Sequence, residues 1–228
     1  MLLAPPWPSG MMESMASSGQ TQIKALAFDF DGTIANSFHV FVHGVESALK
    51  RKPFTPEEVE ELRQYSARDV VRVLKIRWWR LPFLLAKGTR EIDRHQDNIT
   101  IFPAMTEVLT ALHRQGYKLY IVSSHSKKGI ELFLERYGLA STFDHIYGKA
   151  GLFGKPRALK RLRTQFNYLA SDCVFVGDEI RDIEAAKKAG MRCVSVSWGF
   201  NTAASLTANS PNAIIAKPTE LPALLKKL

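Results

Sequence analysis

The chain has 228 residues, 46% hydrophobic and 23% charged, with 31 Lys and Arg against 22 Asp and Glu, a formal net charge of +9. That length suits one domain with a large insertion or two small domains, and the composition is that of an ordinary soluble globule. No run approaches the roughly 20 uncharged apolar residues of a membrane span, and two cysteines, Cys173 and Cys193, both in predicted strands, make no disulfide framework.

Residues 1–22 are rich in Pro, Ser, Gly and Met and carry no basic residue ahead of an apolar stretch, as a secretory leader requires. A disordered tail is expected there, with Met12 and Met15 as alternative starts and the cytoplasm as the location. From Ile23 to Phe30 the chain is nearly all apolar, as in a strand buried on both faces. After Thr33 the pattern turns helical. One helix is expected over 36–51, broken by Pro53. At 55–58, TPEE then reads as an N-cap, a first-turn proline and a capping-box glutamate. Further helices are expected over 67–76 and 81–98, and about sixty residues here give no strand signal.

Beyond Phe102 the periods alternate. Helices are predicted at 103–115, 127–137, 156–166 and 180–189, with Pro156 starting the third and Gly190 closing the last. Strands are predicted between them at 117–122, 145–147, 173–177 and 192–197. Strands alternating with helices of this length argue for an α/β fold, a doubly wound Rossmann-like parallel sheet. The division expected is a core of 23–34 and 101–228 with an all-helical domain, 35–100, inserted after the first strand.

Asp29 and Asp31 stand two apart at the end of that strand, so both carboxylates can face one crevice. Two like charges held that close call for a cation or a shared proton. In parallel sheets ligands bind at the carboxyl ends of strands. There the chain also places Ser123 and Ser124, then Lys155, then Asp178, Glu179 and Asp182.

In this order the clusters resemble the four motifs of the haloacid dehalogenase superfamily of aspartate-nucleophile phosphohydrolases, in the branch with a helical cap. The matches are FDFDGT at 28–33, IVSS at 121–124, GK at 154–155 and GDEIRD at 177–182; IFPAMTEVL at 101–109, DIEAAKKAGM at 182–191 and SWGF at 197–200 resemble phosphoglycolate phosphatase-like members. The resemblance implies a magnesium-dependent phosphatase acting on a small phosphorylated metabolite, 2-phosphoglycolate among them, through an aspartyl-phosphate. It implies Asp29 as nucleophile, Asp31 as acid and base, and Ser123 and Lys155 as phosphoryl-binding groups, with a lesser part for Ser124. Magnesium ligands would come from Asp29, the backbone carbonyl of Asp31, Asp178 and Asp182, with Glu179 a less direct candidate. Asn36 and His125 depart from common usage in the family, and His125 reads as a loop histidine with a local hydrogen bond.

Substrate choice would rest with the cap. Between Arg63 and Arg90 eight Lys and Arg face one acid, Asp69, and Arg68 and Arg72 are the first candidates to touch an anionic leaving group. The apolar RWWRLPFLL at 77–85 reads as cap packing or a dimer contact rather than a membrane element. A phosphomutase would keep the same core residues. A basic module gripping nucleic acid or an acidic partner would not need the catalytic set, so no nucleic-acid partner, no membrane, and a monomer or homodimer are expected.

Overall fold

The computed structural model describes residues 23–228, excluding some side chains between 67 and 96 and those of 152 and 153; the expectation for 1–22 lies outside the described residues. The first strand, β1 (Ala25–Phe28), is fully buried. A tight turn leads to β2 (Ala35–Asn36), followed by helices α1 (Phe38–Leu49), α2 (Pro56–Leu62), α3 (Ala67–Val73) and α4 (Leu81–Arg94). The short β3 (Thr100–Ile101) pairs antiparallel with β2 and brings the two ends of the helical segment together. This ribbon at the two ends of the helical segment was not expected, because two-residue strands carry too little periodicity to be read. At α2 the expected capping box is present, with Thr55 accepting from Glu58 N and Glu58 accepting from Thr55 N.

The remaining elements are α5 (Met105–Arg114), β4 (Lys118–Val122), α6 (Lys127–Arg136), β5 (His145–Tyr147), α7 (Gly151–Gln165), β6 (Cys173–Gly177), α8 (Ile180–Ala189), β7 (Arg192–Val196), α9 (Ala203–Ala208), β8 (Ala213–Ile215) and α10 (Leu221–Leu225). The last three were not expected. Helix α7 begins at Gly151, so Pro156 lies inside it rather than at its start. An interior proline removes one ladder bond and crowds the carbonyl four residues back, and because α7 already starts at Gly151, Lys155 lies in the second turn of a helix instead of a loop.

Six parallel strands form one sheet in the order β5-β4-β1-β6-β7-β8. Successive residues of each strand face opposite sides. Leu26, Phe28, Leu119, Ile121, Val174 and Val176 pack on one side with residues of α5, α6 and α10. Ala25, Ala27, Tyr120, Val122, Cys173 and Phe175 pack on the other with residues of α7 and α8. Covering both faces is why these strands read as continuous apolar runs. Both cysteines are buried and free. Among the described residues no helix is long and apolar enough to cross a membrane.

Because β1 lies between β4 and β6, the winding of the chain reverses across it, and a crevice opens at its carboxyl end. In register, Phe28 stands level with Ile121 and Val176. Asp29, Ser123 and Asp178 therefore leave the sheet at nearly one level, on three adjacent strands.

Candidate active site

Asp29 leaves β1 with its N–H still bonded to Val176 O at 2.8 Å. Its side chain is buried; Oδ1 accepts from Phe30 N at 2.7 Å and Oδ2 from Lys155 Nζ at 2.5 Å. Lys155, itself 4% exposed, also donates to Asp182 Oδ1 at 2.6 Å. Asp182 is held from the other side, its Oδ2 accepting from Glu179 N at 3.1 Å at the start of α8. Asp178 accepts from the Thr33 hydroxyl at 2.7 Å and from Phe200 N at 2.7 Å. Thr33 is thus a brace between the first turn and Asp178.

The turn after Asp29 depends on Gly32, whose φ is +77°; a Cβ there would lie 2.2 Å from Asp178 Oδ2. Glycine is needed both for the left-handed backbone and for this close approach. Asp31, two residues beyond Asp29, turns its carboxylate elsewhere: Oδ1 accepts from Ser37 Oγ at 2.8 Å, and Oδ2 lies 3.3 Å from His125 Nδ1. His125 is 1% exposed and its ring lies 5.2 Å from that of Phe30. Ser123 Oγ accepts from His125 N at 3.1 Å, whereas Ser124 Oγ donates to Gly151 O at 3.2 Å, outside this cluster.

One ligand atom each of Asp29, Asp178 and Asp182, all buried, lies within 4.8 Å of the other two. Burial, opposed by Lys155 and reinforced by Asp182 and Glu179, pushes Asp29 up to about 7. Burial, with the neighbouring carboxylates, likewise raises Asp178 well above the carboxylate range. Burial alone would lower Lys155, but Asp182 and Asp29 outweigh it and hold the ammonium charged. One buried cation among three buried carboxylates leaves negative charge uncompensated, and the donors are all hard oxygens. Such a set fits magnesium or another hard divalent ion. Glu179 is engaged with Arg181, which outweighs burial and keeps its pKa low.

Asp29, Asp31, Ser123, Ser124 and Lys155 all line one cavity of about 560 Å³. The structure does not bring Arg72 to this cavity. Its side chain is 85% exposed and pairs with Asp69 at 2.9 Å, one turn back on α3. The Arg68 side chain lies outside the described residues. In the 77–85 segment Leu84 is buried and Pro82 lines the cavity, while Trp79, under the Arg77 guanidinium, and Phe83 are each 55% exposed. Three contributors were missed from sequence. Ser37 meets Asp31 only because the β2 turn brings it back. Phe200 N meets Asp178 from the loop after β7. Arg63 ties the helical segment to that loop, donating to Gly199 O at 2.9 Å and Phe200 O at 3.2 Å.

The family model described as haloacid dehalogenase-like hydrolase matches residues 26–196. The phosphoglycolate phosphatase of Synechococcus elongatus is 33% identical over 204 residues, covering 87% of this chain and 95% of that protein. That of Vibrio parahaemolyticus is 28% identical over 219 residues, covering 89% and 96%. In fold, the chain is similar to a haloacid dehalogenase-like hydrolase from Streptococcus pneumoniae, with a TM-score of 0.72 at 19% identity and 89% and 98% of the two chains covered. A haloacid dehalogenase-like protein from Agrobacterium tumefaciens gives 0.69 at 22%, covering 90% and 98%. The chain belongs to the haloacid dehalogenase-like hydrolase family.

Proposed function

We propose that the chain is a magnesium-dependent phosphomonoesterase working through an aspartyl-phosphate on Asp29. The observation that carries this reading is the division of labour between two aspartates. Asp29 sits with one cation, Lys155, and two further carboxylates, Asp178 and Asp182, a set that calls for a second cation, and Asp31 is held apart by Ser37 and His125.

Asp29, Asp178 and Asp182, with the Asp31 carbonyl, would hold the ion, which supplies positive charge against the repulsion between carboxylate and phosphate. Lys155 adds a fixed cation on the same side, and the Ser123 hydroxyl donates to a phosphoryl oxygen. An Asp29 oxygen attacks phosphorus as the ester P–O bond breaks, and the departing alkoxide takes the proton of Asp31. In the second half Asp31, now a carboxylate, removes a proton from water. The resulting hydroxide oxygen bonds to phosphorus, and the Asp29 oxygen leaves as carboxylate. Asp31 suits both halves because its carboxyl lies outside the cluster around Lys155. The relatives named phosphoglycolate phosphatase make 2-phosphoglycolate the first ester to assay.

Phosphate release from p-nitrophenyl phosphate tests the reading. Activity is expected only with magnesium, to fall by several orders of magnitude in Asp29→Asn, and to fall about 10²- to 10⁴-fold in Asp31→Asn. Equal activity of wild type and Asp29→Asn would end it.

A further inference from the structure

We propose that the ester this site hydrolyses carries a bulky apolar alcohol, an alkyl or aryl group, rather than a small anionic one; the inference rests on the phosphomonoesterase reading above. The cavity that reaches Asp29 extends to about 560 Å³, within the range of sites that enclose drug-sized ligands. That is far more room than phosphate and glycolate fill.

Its wall is chemically divided. The core side supplies polar and charged groups, among them Asp29, Asp31, Ser123, Lys149, Lys155 and Arg181. Beyond them the helical segment supplies an almost wholly apolar lining, including Phe41, Val45, Leu62, Val70, Leu74 and Leu84. Among the described lining residues of that segment only Arg63 and Tyr65 carry polar side-chain groups, and Arg63 donates to the carbonyls of Gly199 and Phe200. Of the two arginines first expected to meet an anionic leaving group, Arg72 is turned out, and the Arg68 side chain lies outside the described residues. Arg72, Lys75, Arg77, Arg80 and Arg90 are exposed.

Helix α1 explains how the lining arises. Val40, Gly44 and Ala48 are its buried face. Phe38, Phe41, Val42 and Val45, at helical spacing on a second face, are only half-buried and border the cavity. The second apolar face is partly covered, and its remaining surface lines the cavity. Phe200, whose N–H binds Asp178, sets its ring against Phe38 and Phe41 at 4.9 and 5.2 Å. This half-buried face thus starts, at Phe38, next to Ser37 on Asp31 and continues along α1 away from that end, as a leaving group must.

Titration calorimetry with n-alkylphosphonates, in the presence of magnesium, reads the cavity without turnover. Affinity is expected to rise about fourfold per added methylene until the cavity is filled. Val45→Asn and Leu74→Asn are expected to flatten that slope. Affinity independent of chain length, or a slope unchanged in both variants, overturns the proposal. With n-alkyl phosphates, kcat/KM for the hexyl ester should exceed that for 2-phosphoglycolate, and the reverse order overturns the proposal while leaving the hydrolase reading intact. If no ester, p-nitrophenyl phosphate included, releases phosphate, the hydrolase reading fails, and this inference fails with it as a statement about substrate.

Discussion

Without metal, the stability of the protein should fall as pH rises through the carboxylate-to-neutral range, and Asp29 should account for a measurable part of the fall. Burial lifts its pKa from 3.8 in the unfolded chain to about 7 in the folded one. A group that holds its proton more tightly when folded stabilises the fold fully below about pH 4 and loses that contribution as pH climbs to about 7. At roughly 1.36 kcal/mol per unit, the full span is worth about 4 kcal/mol. Between about pH 5 and about pH 7.5 the loss is about 2.5 kcal/mol, which for a chain of this size is a Tm change of about 5 to 10 °C. Asn cannot titrate, so thermal melts of wild type and Asp29→Asn at those two pH values, without divalent ions, isolate the term as a difference of differences. Magnesium competes with the proton for Asp29, so it should raise Tm more at the higher pH, and less in the variant. Parallel pH profiles for the two proteins, or a wild type that gains on the variant as pH rises, would refute the reasoning.

Two further substitutions test how the site is held. Gly32→Ala places a Cβ 2.2 Å from Asp178 Oδ2 and 2.4 Å from Phe200 Cδ2 at a φ of +77°; left-handed backbone and overpacking together should cost roughly 2 to 5 kcal/mol in denaturant unfolding and weaken the magnesium-induced Tm rise. Unaltered stability and metal response would show that the close approach is not needed. Arg63→Met removes the charged donor from Gly199 O and Phe200 O, which should lower stability by about 1.5 to 3 kcal/mol, and an unchanged denaturation midpoint would remove Arg63 as a tie between helical segment and core.

Much of the molecule was legible because local physics and tertiary need coincide. The apolar run before Asp29 reads as a strand since both sheet faces are covered, and strands β5 and β6 and helix α8 match their expected bounds. The TPEE box at 55–58 is satisfied by its own backbone and needs no distant partner. The ribbon of β2 and β3 was invisible because each strand is two residues long and exists only through the other. Pro156 misled because a starting proline is a local preference, whereas α7 extends one turn earlier. Residues 35–100 as a separate folding domain remain a proposal, to which the ribbon closing the segment lends support.

Asp29, Asp31, Ser123, Asp178 and Asp182 could be picked out as candidates because each follows a strand or opens a helix whose pattern is local, and Lys155 because GK at 154–155 resembles a family motif. Their partners could not: Ser37 on Asp31, Phe200 N on Asp178 and His125 beside Asp31 lie across turns and loops that have no period. The same holds for the helical segment. Its eight basic residues were plain in the sequence, but the direction each side chain takes depends on how the four helices pack. Packing sends Arg72, Lys75, Arg77, Arg80 and Arg90 to solvent, keeps Arg63 against the loop after β7, and leaves a half-buried apolar face of α1 on the cavity that Asp29 lines, because only tertiary contacts decide which of two apolar faces is covered.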